Sequence, residues 1–237
     1  MVQNVALPDV RSQASDWHHI AGLIDHTLLH PEATRYQATH FCEEAMRYGF
    51  HAVFVNPNLL AHAKSVLHGS SVKAGTTIGF PLGATLTTVK LYEASEALKL
   101  GADELDMVLQ IGALKAGDRH LVEGEIRSLA AVAHDGGALL KVVLETALLD
   151  EKEKILACAL SMEAGADYVK TSTGFGLSGA TAKDVHLMRG VVGDKLGVKA
   201  AGGIRTAADI DVLLEAGASR IGTSAGVEIL RELGAPE

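Results

Sequence analysis

Leu100-Gly-Ala-Asp-Glu-Leu-Asp-Met-Val-Leu109 carries both the rhythm of this chain and its anomaly. A Gly-Ala-Asp turn closes a helical stretch and opens a strand-like run. In that run Leu105, Met107 and Leu109 alternate with charged Glu104 and Asp106. Alternation with period two is the mark of a strand whose two faces meet different surroundings. The turn recurs as Ala164-Gly-Ala-Asp167 and Ala216-Gly-Ala-Ser219, each time between an amphipathic stretch and the next apolar run.

Working outward, strand-like runs fall at 23–29, 50–56, 73–80, 102–109, 138–145, 166–172, 196–202 and 218–224. Helical patterns fall at 33–48, 58–68, 86–100, 118–134, 150–164, 181–192, 206–216 and 225–234. Asp150 and Thr206 suit helix N-caps, and Gly49, Gly69, Gly101, Gly165 and Gly217 suit the left-handed residue after a helix. Eight such units at about 28 residues each match βα crossovers. They predict an α/β protein, a single-domain (βα)8 TIM barrel over residues 17–237, with residues 1–16 as a loose N-terminal extension. An open doubly wound sheet is the alternative, and no G-x-G-x-x-G follows the first strand to support it.

Composition limits the function. Of 237 residues 48% are hydrophobic but only 4% aromatic, so Ala, Val, Leu and Ile must build the core. The net charge of −8 comes without a basic stripe, which argues against nucleic acid and anionic membrane surfaces as partners. No 18-residue apolar run is present, and the start of the chain has no basic segment followed by an apolar one. Cys42 and Cys158 read as buried free thiols. A cytoplasmic enzyme or binding protein is the expectation.

The anomaly is charge inside strands. If Leu140, Val142 and Leu144 face the helices, Lys141, Val143 and Glu145 face the barrel axis. The same parity turns Glu104, Asp106, Lys170 and Lys199 inward. Barrel interiors are ordinarily packed with Val, Ile and Leu, and unpaired buried charge is very costly. Either Asp106 and Glu145 neutralise the lysines in a purely structural network, or the cluster is catalytic. Its place near the C-terminal ends of consecutive strands favours catalysis. A lysine attacks a carbonyl only when neutral, and burial or a neighbouring ammonium lowers its pKa. Lys170 and Lys199 on adjacent strands therefore suggest one nucleophile and one persistent cation. The imine formed by such attack is an electron sink that favours carbon–carbon cleavage.

Three late loops suit an anion. They carry Thr173 and Gly174, then Gly202 and Gly203, then Gly222 and Ser224 before the last helix. Barrels commonly hold phosphate there through backbone N–H groups. Asp25 and Thr27 share the inward parity of the first strand and are candidates for orienting substrate or water. Thr85, Thr87 and Thr88 read as helix-entry caps. His18, His19, His26 and His30 lack metal-ligand spacing, and there is no G-x-S-x-G.

Several of these stretches resemble the deoxyribose-phosphate aldolases, a class I, Schiff-base-forming aldolase family. The matching pieces are IDHTLL (24–29), GFPLGATLTTVK (79–90), ADELDMV (102–108), LLKVVLET (139–146), YVKTSTGFG (168–176) and VKAAGGIR (198–205). The resemblance implies Lys170 as the Schiff-base lysine and Lys199 as the lysine that tunes it. It implies Asp106 as an acid/base acting through water and Lys141 as its holder. Gly174, Gly203 and Ser224 would bind the substrate phosphate. It also implies 2-deoxy-D-ribose 5-phosphate as substrate, D-glyceraldehyde 3-phosphate and acetaldehyde as products, no metal or organic cofactor, and a homo-oligomer, dimer or tetramer. Phe54 stands where many relatives carry Cys, and Phe175 where some carry Lys. A related aldolase for another phosphorylated aldehyde, or an inactive sugar-phosphate-binding protein, are the alternatives. The presence of Asp106, Lys170 and Lys199 together weighs against the inactive one.

Overall fold

A computed structural model describes residues 16–237. Residues 1–15, nearly all of the expected N-terminal extension, lie outside the described residues. Eight strands, β1 (Ile24–Leu28), β2 (Ala52–Val55), β3 (Lys73–Ile78), β4 (Glu104–Val108), β5 (Leu139–Val143), β6 (Tyr168–Lys170), β7 (Gly197–Ala201) and β8 (Arg220–Thr223), pair in parallel and in sequence order. β8 pairs back onto β1, so the sheet closes into the (βα)8 barrel that the sequence predicts.

The helices are α1 (Trp17–Ala21), α2 (Arg35–Tyr48), α3 (Pro57–Val66), α4 (Thr87–Lys99), α5 (Ile111–Lys115), α6 (Arg119–Asp135), α7 (Glu151–Glu163), α8 (Ala182–Val192), α9 (Ala207–Glu215) and α10 (Gly226–Glu232). Asp150 and Thr206 each form a full capping box with the residue three positions on, Glu153 and Asp209. Each such cap is worth about 1 kcal/mol. The five glycines expected to close helices all have positive φ, from 72° at Gly49 to 107° at Gly217. The threonine caps do not form. Leu86 occupies the cap position of α4 with no side-chain bond, and the Thr87 hydroxyl instead donates to Glu125.

Three short elements escaped the periodicity: α1, α5, and a 3₁₀ turn at Thr146–Leu148. A single turn is too brief to show a helical period. The apolar layer lies between strands and helices, with Leu105, Met107, Leu140, Val142, Val169 and Val198 all fully buried in it. Cys42 and Cys158 are buried free thiols, and burial pushes both up to about 12. No helix among the described residues is long and apolar enough to cross a membrane.

Candidate active site

The other face of each strand fills the barrel axis, and register decides who meets whom. Asp106 pairs with Lys141 across β4 and β5, and Lys170 with Lys199 across β6 and β7. These four charged residues, expected together from parity alone, do converge. Lys170 Nζ and Lys199 Nζ each donate to Asp106 Oδ2 at 2.8 Å, and Lys141 Nζ donates to Asp106 Oδ1 at 3.0 Å. One buried carboxylate thus serves three ammonium groups.

Beneath it lies a second set of charges. Lys199 Nζ is 2.6 Å from Asp25 Oδ2, whose other oxygen accepts from Arg220 at 2.9 Å. Arg220 also reaches Glu104 at 3.3 Å, and Glu104 pairs with Lys141 and with His51. Phe54 roofs this layer. Its ring centroid is 3.7 Å from Lys199 Nζ and 4.3 Å from Lys141 Nζ, a cation–π arrangement with two cations. Gly75 opposite makes room for the ring, since a Cβ there would lie 2.3 Å from Phe54 Cζ.

Three carboxyl groups (Asp25, Glu104, Asp106) face four basic groups (Lys141, Lys170, Lys199, Arg220). With every group ionised the interior carries one excess positive charge. Loss of a proton from one lysine removes it. Burial works against ionisation of Asp106, but Lys141, Lys170 and Lys199 outweigh it and hold the carboxyl well below its usual range. Burial likewise pulls Lys141 down, and Asp106, Glu104 and Asp25 more than reverse this, keeping it cationic. For Lys199, burial prevails with help from Lys170 and Lys141 over the pull of Asp106 and Asp25, and its pKa falls to about 8.

Lys141 therefore stays cationic throughout, and Lys199 is cationic below about pH 8. Both amines are fully buried, but three carboxylates (Asp106, Glu104 and Asp25) offset that burial at Lys141, and only Asp106 and Asp25 do so at Lys199. One correction concerns Glu145, expected to face inward and, in the purely structural alternative, to neutralise lysines. β5 ends at Val143, and Glu145 adopts a left-handed conformation (φ 54°) that breaks the period-two alternation. Its side chain turns to Thr173 instead. The inward carboxylates missing from the expected network are Asp25 and Glu104.

Above the charges opens a cavity of about 330 Å³. Lys170 lines it; Lys141, Lys199 and Asp106 lie beneath its wall. Thr173, Gly174, Gly202, Gly203, Gly222 and Ser224 all line it as expected from the three loops, together with Thr27. Asp25 does not: it is fully buried in the ion network. Arg205, which parity could not flag because it lies beyond β7, adds an exposed cation to the cavity wall. Arg220 was also missed, because it opens its strand next to the Ala-Ser turn and reads as a surface residue. α10, the last helix, is seven residues long.

Fold and site place the protein in the class of parallel-barrel enzymes that work with charged side chains at the C-terminal ends of their strands. Comparison narrows the class: the chain belongs to the DeoC/LacD family of aldolases, whose family model matches residues 20–233. It is 57% identical over 213 residues to a deoxyribose-phosphate aldolase of Thermococcus gammatolerans, covering 89% of this chain and 95% of that one. It is 55% identical over 220 residues to the enzyme of the same name from Thermococcus kodakarensis, covering 92% and 97%. Among solved structures, the tetrameric deoxyribose phosphate aldolase of Aeropyrum pernix superposes with a TM-score of 0.88 at 35% identity, over 96% of this chain and 99% of that one.

Proposed function

We propose that the protein catalyses the reversible retro-aldol cleavage of 2-deoxy-D-ribose 5-phosphate to D-glyceraldehyde 3-phosphate and acetaldehyde, with Lys170 as the Schiff-base nucleophile. The observation that carries this reading is access: Lys170 is the lysine of the cluster that lines the cavity, while its amine still touches Asp106.

The steps follow from the contacts. The proton that leaves the Lys170 ammonium passes to Asp106 Oδ2, which also bonds Lys199. The neutral amine adds to the C1 aldehyde of the open-chain sugar, and loss of water gives an iminium. A water held by Asp106 takes the C3 hydroxyl proton. The C2–C3 electron pair then moves into the iminium, D-glyceraldehyde 3-phosphate departs, and an enamine remains on Lys170. Protonation at C2 and addition of water release acetaldehyde and restore the amine. Electrons balance with no redox change, and water is the one co-reactant. Lys199, near its pKa of about 8, exchanges protons with Asp106 at each stage. Lys141 stays charged and fixes Asp106 in place.

The phosphate sits among Gly174, Gly202, Gly203, Gly222 and Ser224, with Arg205 supplying charge in a protein of net charge −8. We place the reaction in the cytoplasm, as two buried free thiols suggest, and infer a homo-oligomer, as the tetrameric Aeropyrum pernix relative suggests. Leu82, Leu86, Val89 and Tyr92 give it exposed apolar surface. Light scattering on the purified protein tests the oligomer. The activity test is incubation with 2-deoxy-D-ribose 5-phosphate. Acetaldehyde and D-glyceraldehyde 3-phosphate should appear in equal amounts; no cleavage would refute the assignment.

A further inference from the structure

Glu145 is the single non-glycine residue with positive φ among the described residues. It is also almost wholly buried, yet it makes no ion pair with any described residue. Both features mark a side chain held in place for a purpose other than neutralising charge, since left-handed backbone and buried carboxylate are each unfavourable alone.

Its contacts supply that purpose. Glu145 Oε2 accepts from the Thr173 N–H at 3.2 Å and from the Thr173 hydroxyl at 2.5 Å. Thr173 Oγ1 in turn accepts from the Phe175 N–H at 3.1 Å. One carboxylate oxygen therefore fixes both neighbours of Gly174, a residue at φ 87° on the cavity wall. Gly176 closes the loop over the carboxylate, for a Cβ there would lie 2.9 Å from Glu145 Oε1. Of the three residues of this loop that line the cavity, Thr173 and Phe175 spend their N–H groups on this bracing, which leaves the Gly174 N–H to face a ligand.

We propose that Glu145 is a positioning residue for the phosphate end of the substrate. Acting through Thr173 and Phe175 from behind the cavity wall, it sets the loop that aims the Gly174 N–H. This rests on the reading of the cavity as a sugar-phosphate site. The bracing needs an acceptor oxygen rather than a charge, so a glutamine amide can replace it and an alanine cannot.

The experiment compares 2-deoxy-D-ribose 5-phosphate with unphosphorylated 2-deoxy-D-ribose in Glu145→Ala, Glu145→Gln, Thr173→Val and the double variant Glu145→Ala/Thr173→Val. Glu145→Ala should raise KM for the phosphorylated sugar about tenfold with kcat within about threefold, and leave kcat/KM for deoxyribose within about threefold. Glu145→Gln should restore KM to within about threefold of the parent. The double variant should be no worse than the weaker single one, because both substitutions cut the same strut. Equal losses on both sugars, an unchanged KM, or additive effects would overturn the inference. If Glu145→Ala does not fold, Thr173→Val decides: a selective rise in KM supports the strut, and its absence refutes it. A parent enzyme that shows no preference for the phosphorylated sugar would sink the sugar-phosphate reading itself, a different outcome from a variant that keeps the parent's preference.

Discussion

Lys170 Nζ and Lys199 Nζ lie at the same distance, 2.8 Å, from the same oxygen, Asp106 Oδ2. A single acceptor shared by two amines is a path for a proton between them. It also means that neither amine can be changed without altering the other. The cation that does not take part is Lys141, which holds the opposite oxygen at 3.0 Å.

Asp106→Asn tests the shared oxygen. The amide keeps the size but removes the charge and presents donors to ammonium groups. Turnover of 2-deoxy-D-ribose 5-phosphate should fall by about 10²–10⁴-fold, the usual worth of a positioned acid/base. Leaving buried cations without their carboxylate should also destabilise the fold by about 3–5 kcal/mol. Steady-state kinetics and denaturant melts read the two effects. A variant with near-normal turnover would remove Asp106 from the proton path.

The lowered pKa of Lys199 predicts a pH dependence with a definite sign. Lys199 is cationic below about pH 8 and neutral above it. Its proton-accepting role therefore strengthens as pH rises through about 8, and kcat/KM should climb over that interval. Lys199→Leu should lose that limb of the profile. Stability moves the same way. The unfolded lysine keeps its proton to about 10.4, so between about 8 and 10.4 the unfolded state binds more protons and stability should rise with pH. A Lys199→Leu profile of unchanged shape, merely scaled down, would show that Lys199 acts by placement and not by titration.

The phosphate loops make a discriminating prediction. Ser224→Asp brings a carboxylate to the cavity wall, and Arg205→Leu removes its exposed cation. Each should raise KM for the phosphorylated sugar by about tenfold or more, the range for losing or opposing a charge-assisted contact, while unphosphorylated deoxyribose is little affected. Parallel losses on both sugars would mean that these loops do not read the phosphate.

Phe54 and Gly75 predict a packing coupling. The ring fills the space that the missing Cβ of Gly75 leaves, and it faces two ammonium groups. Phe54→Ala should cost about 3–5 kcal/mol. Gly75→Ala should be strongly destabilising alone, because the new Cβ meets the ring at 2.3 Å. Combined with Phe54→Leu it should cost less than the two single changes added together. Additive losses in urea melts would show that the two positions do not pack against each other.

Much of this was legible because a strand's side chains alternate. Once Leu105 and Met107 are set against the helices, Asp106 has to point inward, and the same step places Lys141, Lys170 and Lys199. Alternation fails where the strand stops. Glu145 lies two residues past β5, and a left-handed turn that no side-chain pattern announces sends it to Thr173. Arg205 reached the cavity from a loop, where neither period applies. Arg220 obeys the parity but sits at the strand's first residue, where a charged side chain normally reads as a solvent contact. The ionisation of Lys199 was illegible for another reason. Whether a buried lysine keeps its proton depends on how many carboxylates and how many cations face it, and that balance is visible only in three dimensions.

The central claim is that Lys170 forms the covalent bond. It is tested most directly by treating the protein with acetaldehyde and borohydride and mapping the product by peptide mass spectrometry. The account predicts one ethyl group on the Lys170 side chain, none without acetaldehyde, and none in Lys170→Arg, whose guanidinium cannot form an imine. An ethyl group on Lys199 or Lys141 in place of Lys170 would contradict it.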